Sequence, residues 1–165
     1  MCGISGLLYY SASPEPSEPP QMIGAMNRSI AHRGPDDEGY WRNTNGRVHL
    51  GHRRLSILDL SQLGHQPMVS PFGNAIVFNG EIYNFKELRA TFNDRAFRSE
   101  SDTEVLLALY DRDGARCVDR LNGMFAFAVW DEARGKLFLA RDQIGIKPIY
   151  YTQANGIFAF SSELK

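Results

Sequence analysis

The chain opens Met1-Cys2-Gly3-Ile4-Ser5-Gly6, so removal of the initiator methionine would make a cysteine its first residue. A thiol and a free α-amine would then share one residue. The amine, with a pKa of about 7.7 to 8.0, is a base near neutral pH, and an N-terminal amine is an established activator of a neighbouring nucleophile. The small Cys2 side chain suits methionine removal, and Gly3 and Gly6 are expected to let the backbone pass close to a ligand. Position alone leaves an ordinary alternative standing. Two cysteines in 165 residues form no disulfide framework, and in a reducing compartment a free cysteine is commonly a small buried hydrophobe. Cys117, within "DGARCVDRLNG", reads as a cysteine of that structural kind. His32, His49, His52 and His65 lack metal-site spacing and read as core or loop residues, so no metal is expected.

The rest of the composition narrows the partners. A chain of 165 residues is the size of one domain, 1–165, able to bury a real core. Hydrophobic residues make up 43%, charged residues 22%, and the formal net charge is −1. That balance carries no nucleic-acid footprint and no acidic tail, and a small-molecule partner is expected. The N-terminus has no basic region followed by an apolar stretch, and no run of about 18 apolar residues occurs, which argues against secretion and membrane spanning. A cytoplasmic protein is expected.

Elements must carry Cys2 to its partners. "ISGLLYY" reads as a strand, and the four prolines of "SASPEPSEPP" as an exposed loop. Met22, Met26 and Ile30, with Ile23 beside them, mark an amphipathic helix entered through Pro19 and Pro20. It ends before "HRGPDDEG", which reads as a loop. "RVHLGHRRLSILDL" and "NAIVFNG" carry strand signals. Asn84 with Glu87, and Ser101 with Glu104, look like capping boxes opening two helices, the second closed at Gly114. Phe125 and Phe127 alternate with Ala126 and Ala128, and "KLFLAR", "PIYYT" and "GIFAFSS" follow as three more strands. Blocks of strands with helices grouped between them point to an α+β fold with antiparallel sheets.

Together, "MCGISG", "HRGPDDEG", "GHRRLSILDL", "FNGEIYN" and "SDTEVLLALY" resemble the glutaminase domain of class II glutamine amidotransferases, of the glutamine-hydrolysing asparagine synthetase type. The later "LNGMFAFAVWD", "ARDQIGIKPIYY" and "FAFSSELK" extend the likeness through nearly the whole chain. The resemblance implies an N-terminal nucleophile hydrolase sandwich, a four-layer αββα arrangement of two antiparallel sheets. It further implies that Cys2 attacks the side-chain amide of L-glutamine, passes through a γ-glutamyl thioester and releases ammonia and glutamate.

Acyl transfer needs donors aimed at a developing oxyanion. By the resemblance these are the Asn79 side-chain amide and the Gly80 N–H, the alternative being a plain Asn-Gly turn. Arg54 is implied on the substrate α-carboxylate, since its planar fork suits that group, and Asp102 on the α-ammonium. Leu55, Ser56, Ile57, Leu58 and Glu81 complete the implied glutamine site. Arg54 read alone is a surface cation, and Asp102 an acid favoured in the first turn of a helix. Arg33 and Asp36 have no fixed role, an ion pair bracing a loop being one reading.

Asparagine synthetases add an ATP-using domain whose Ser-Gly-Gly-Leu-Asp-Ser loop this sequence lacks. The resemblance therefore implies no cofactor for this chain, ATP and Mg belonging to an absent synthetase domain or subunit that accepts the ammonia. It also implies a domain shortened at its C-terminus, with a bare sheet edge that leaves room for a homodimer. The competing reading is a glutamine-binding or interaction module without catalysis, if Met1 is retained; a β-rich structural domain with no ligand does not explain why anion-binding, cation-binding and oxyanion groups all occur in the expected order.

Overall fold

The computed structural model describes residues 1–10, 19–57 and 59–164. In chain order the elements are β1 (Gly3–Tyr9), α1 (Pro19–Ser29), β2 (Asp37–Arg42), β3 (Val48–Arg54), β4 (Met68–Val69), β5 (Ala75–Ile82), α2 (Phe85–Arg89), α3 (Asp102–Asp113), β6 (Gly123–Asp131), β7 (Lys136–Arg141), β8 (Tyr150–Ala154) and β9 (Ile157–Ser161). Short 3-10 segments follow α1 and α3 at Ala31–Arg33 and Gly114–Arg120. Most of the proline-rich loop read from the sequence, residues 11–18, lies outside the described residues.

Two antiparallel sheets form, one ordered β2-β3-β1-β9-β8 and the other β4-β5-β6-β7. The two-residue period of a strand sorts their side chains into layers. Along β6, Phe125, Phe127 and Val129 face α3 together with Ile76, Phe78 and Ile82 of β5. Ala126, Ala128 and Trp130 face the other sheet, where they meet Ile4, Val48, Leu50, Ala75, Val77 and Phe160. The small alanines let the two sheets approach. On the far side, Leu7 and Tyr9 of β1 pack with Ile23 of α1. Three cores separate four layers, α1, sheet, sheet, and α2 with α3, which is the αββα order expected of this α+β fold. Among the described residues no helix is long and apolar enough to cross a membrane.

Several local expectations change. The strand beginning at Val48 stops at Arg54 instead of running through "LSILDL", because the backbone beyond it finds side-chain partners. The Leu55 N–H turns to the Cys2 sulfur at 3.4 Å and the Ser56 N–H to Asp36 Oδ2 at 2.8 Å. The last three residues of "HRGPDDEG" are strand, since Asp37–Arg42 pairs with β3 and Glu38 reaches Arg53 at 2.7 Å. Gly3 and Gly6 are also needed for packing. Their missing side chains make room for Ile30 and Phe160 inside the fold.

The helix starts also differ from a plain capping box. Ser101 caps α3 by accepting from the Thr103 N–H at 3.0 Å, but Glu104 takes the Arg98 and Ser99 N–H groups instead of reaching back to Ser101. Asn84 makes no cap bond to α2. Its side chain donates to the Arg120 carbonyl and accepts from the Asn122 N–H, tying α2 to the entry of β6. Gly114 closes α3 as expected, with φ +61 and its N–H on the Tyr110 carbonyl.

Candidate active site

One cleft of about 270 Å³ collects the ends of β1, β3, β5 and α3. Cys2 lies at its floor, one residue before β1. Its thiol sits against the Leu55 backbone, donating to the carbonyl at 3.6 Å and accepting from the N–H. Arg33, which the sequence left without a role, donates through Nε to the Cys2 carbonyl at 2.9 Å and pairs with Glu163 at 2.9 Å. Among the described residues Asp36 pairs with no arginine. It holds the Ser56 N–H, so Arg33 braces Cys2 and Asp36 the segment after β3, and the ion pair that forms here joins Arg33 to Glu163.

Burial pushes the Cys2 thiol up from its ordinary value. The Leu55 contact, the α-ammonium of the chain and Arg54 pull the other way without reversing it, and Asp102 adds to the rise. With Met1 present the thiol is therefore protonated at neutral pH. Met1 itself lines the cleft beside it.

β5 supplies the opposite wall. β4 covers only its first residues, Ala75 and Ile76, so from Phe78 onward that edge of β5 has no strand neighbour among the described residues. Its N–H groups find side chains instead. Phe78 donates to Gln66 Oε1 at 2.7 Å and Ile82 to Asp102 Oδ2 at 3.0 Å. Alternation places the Gly80 N–H on the same edge between them, at the cleft. Beside it Asn79 is 1% exposed, and its Nδ2 is buried with no hydrogen-bond partner among the described residues. A buried donor left unpaired costs about 1–3 kcal/mol, and here it sits at a cleft wall. Gly80 is required by packing across the sheet more than by ligand approach. A Cβ there would meet the Met124 carbonyl of β6 and lie 2.8 Å from the Phe125 Cα.

Arg54, the last residue of β3, is buried. Its guanidinium donates to the Ser61 carbonyl at 2.9 Å and to the Asp59 carbonyl, folding the segment after β3 over the cleft, and leaves donor capacity for a ligand. Asp102, the first residue of α3, is 5% exposed. Burial pushes its carboxyl up to about 6, and Glu81 adds to the rise, while the Ile82 and Thr103 N–H groups oppose it. An incoming ammonium would relieve that cost.

Of the residues expected at the site, the structure brings together Cys2, Arg54, Leu55, Ile57, Asn79, Gly80, Glu81 and Asp102. Ser56 turns to Asp36 and is not among the lining residues, and Leu58 lies outside the described residues. Sequence reading missed Gln66, Thr103, Met124 and Lys147, all of which line the cleft. Lys147 is 6% exposed and reaches the cleft because Asp142 gathers the Ile146 and Lys147 N–H groups at 2.9 and 3.0 Å. A lone cation between Ile146 and Pro148 was the available signal. Gln66 offered none, since its role depends on an edge that only the folded sheet reveals. The histidines separate as well. His52 is wholly buried between the sheets and held neutral, burial lowering it to about 4, with Nε2 donating to the Phe78 carbonyl at 3.1 Å. Among the described residues no three His, Cys, Asp or Glu side chains converge as a metal would require.

Comparison with known proteins follows the same lines. A family model described as a glutamine amidotransferase domain matches residues 1–165. Asparagine synthetase (glutamine-hydrolyzing) 2 of Bacillus subtilis is 42% identical over 166 residues, covering all of this chain and 22% of that protein. The amidase chry2 of Gibberella zeae is 41% identical over 174 residues, again all of this chain and 26% of that protein. This chain spans between 22% and 34% of the length of such curated relatives. Glutamine phosphoribosylpyrophosphate amidotransferase of B. subtilis superposes with a TM-score of 0.79 over 98% of this chain and 42% of that one, at 22% identity, and shares the fold. Matched from its first residue to its last, and at such identity to these relatives, the chain belongs to the glutamine amidotransferase domain family.

Proposed function

We propose that the chain, once Met1 is removed, hydrolyses L-glutamine to glutamate and ammonia through a thioester on Cys2. The observation that carries this reading is the buried, unpartnered Asn79 Nδ2 in the same cleft as the Cys2 thiol. A carboxamide placed between them would offer its carbonyl carbon to sulfur and its oxygen to Asn79 and the Gly80 N–H. The freed α-amine of Cys2 takes the thiol proton as the C–S bond forms, and the carbonyl π electrons move onto oxygen. Collapse of the tetrahedral adduct breaks the C–N bond, and the same proton leaves with ammonia. Water then attacks the thioester, giving glutamate and restoring the thiol. Arg54 and Asp102, of opposite charge in one cleft, are the anchors proposed for the α-carboxylate and α-ammonium, with Leu55, Ile57 and Glu81 around them. This chemistry calls for no cofactor held by the chain.

The whole chain acts on this reading as one glutaminase domain, and the ammonia serves asparagine synthesis or a related amidation in a synthetase domain or subunit. Relatives bearing the synthetase name are several times longer than this chain, which supports such a companion. A second reading rests on Met1. While that residue lines the cleft and the thiol stays protonated, the site lacks its base and acts as a glutamine-binding pocket only.

Replacing Cys2 by Ala tests the proposal. Glutamate release should fall by at least about a thousandfold, as expected when a covalent nucleophile is deleted, while circular dichroism and the unfolding midpoint remain near those of the parent. Parental turnover in Cys2→Ala would remove the mechanism.

A further inference from the structure

The oxyanion donors proposed above lie on a strand edge that has no neighbouring strand among the described residues, and something must hold that edge in register. Gln66 does so from both ends of one amide. Its Oε1 accepts from the Phe78 N–H at 2.7 Å, and its Nε2 donates to Thr103 Oγ1 at 3.2 Å in the first turn of α3. Gln66 is 5% exposed and Thr103 is buried, so both bonds form away from bulk water, where a lost partner is not replaced. His52 holds the same residue through the Phe78 carbonyl, to which its Nε2 donates at 3.1 Å. The next peptide carries Asn79 and Gly80.

We infer that Gln66 is a positioning residue for catalysis, fixing the Val77–Phe78 peptide against α3 so that the Asn79 amide and the Gly80 N–H point at the reacting carbonyl. The inference rests on the glutaminase reading and deepens it. Gln66 also couples the two halves of the site, because Thr103 follows Asp102. Displacement of the oxyanion donors by a fraction of an ångström weakens the transition state more than the ground state, so the loss should appear in kcat.

The test compares the Met1-free chain with Gln66→Leu, Thr103→Val and Thr103→Ser. Gln66→Leu should lower kcat for glutamine hydrolysis about tenfold to a hundredfold, with KM changed by less than about threefold. Alkylation of Cys2 by iodoacetamide, which forms no oxyanion, should proceed at the parental rate. Thr103→Val should lower kcat in the same direction by about fivefold, and Thr103→Ser, which keeps the hydroxyl, should restore it. If Gln66→Leu does not fold, the two Thr103 variants decide. Unchanged kcat with parental turnover in the wild-type chain, or a loss confined to KM, overturns the inference and leaves the glutaminase reading intact. Equal loss in Thr103→Val and Thr103→Ser also overturns it. Absence of turnover in the Met1-free wild-type chain overturns both.

Discussion

Two buried acids near the start of α3 are driven in opposite directions. Burial pushes Glu104 up, but the Arg98 and Ser99 N–H groups and the Ser99 hydroxyl more than reverse this and hold it below the usual carboxylate range. Asp102 has fewer donors, and burial leaves it at about 6. Because its folded value lies above the unfolded one, the folded state binds the proton more tightly, and ionised Asp102 costs stability that grows as pH rises from about 4 to above 6. Asp102→Asn should therefore be more stable than the parent at pH 7, by on the order of 2 kcal/mol in urea unfolding, with the difference vanishing near pH 4. The same variant should raise KM for glutamine at least about tenfold, since a neutral amide cannot pair with the α-ammonium. A variant that is both destabilised and fully active would show that Asp102 is a helix-start acid and nothing more.

These residues were legible in the sequence to different degrees. Cys2, Arg54, Asn79, Gly80 and Asp102 stand in distinctive short motifs. Gln66 and Lys147 carry no such mark, because one answers an unpaired strand edge and the other is delivered by a loop, and both conditions arise only on folding.

Elements place these groups by ending at the cleft or along its wall. β3 ends at Arg54, α3 begins at Asp102, and β1 begins one residue after Cys2. The alternation of Phe and Ala in β6 was readable as a strand, and in the fold it separates the face toward α3 from the face toward the other sheet. The strand content of Asp37–Arg42 was not, since three consecutive acidic or glycine residues mimic a turn, and only pairing with β3 makes them a ladder. The loop after β7 shows how an element can be built from one side chain. The Asp142 carboxylate accepts from the N–H groups of Phe125, Ile146 and Lys147 at 3.2, 2.9 and 3.0 Å, holding Lys147 at the cleft and the loop against β6. Burial pushes that carboxyl up, and these donors more than compensate. Asp142→Ala would leave three donors unpaired in a buried setting and should cost at least about 3 kcal/mol in urea unfolding. A loss under about 1 kcal/mol would show that the loop holds itself.

At the scale of the whole molecule, two packed sheets with helices outside give the cleft its floor, and the proposed chemistry waits on removal of Met1. The layered fold was foreseeable as an α+β arrangement from strand and helix grouping, while its αββα order came from family likeness, because the pairing of β1 with both β3 and β9 joins residues far apart in sequence. The two cysteines provide an internal comparison. Cys117 is completely buried in the core beside α3, and burial pushes its thiol up to about 12, whereas Cys2 is partly open at the cleft. The decisive measurement is intact and peptide mass spectrometry of the chain after exposure to 6-diazo-5-oxo-L-norleucine, a glutamine mimic that alkylates a nucleophile seated at the carboxamide position, run on Met1-free and Met1-retaining forms side by side. One adduct on Cys2, formed only in the Met1-free chain and suppressed by excess glutamine, is the expected result. Equal labelling of both forms, or an adduct on Cys117 with none on Cys2, would contradict an N-terminal thiol as the glutamine-cleaving group.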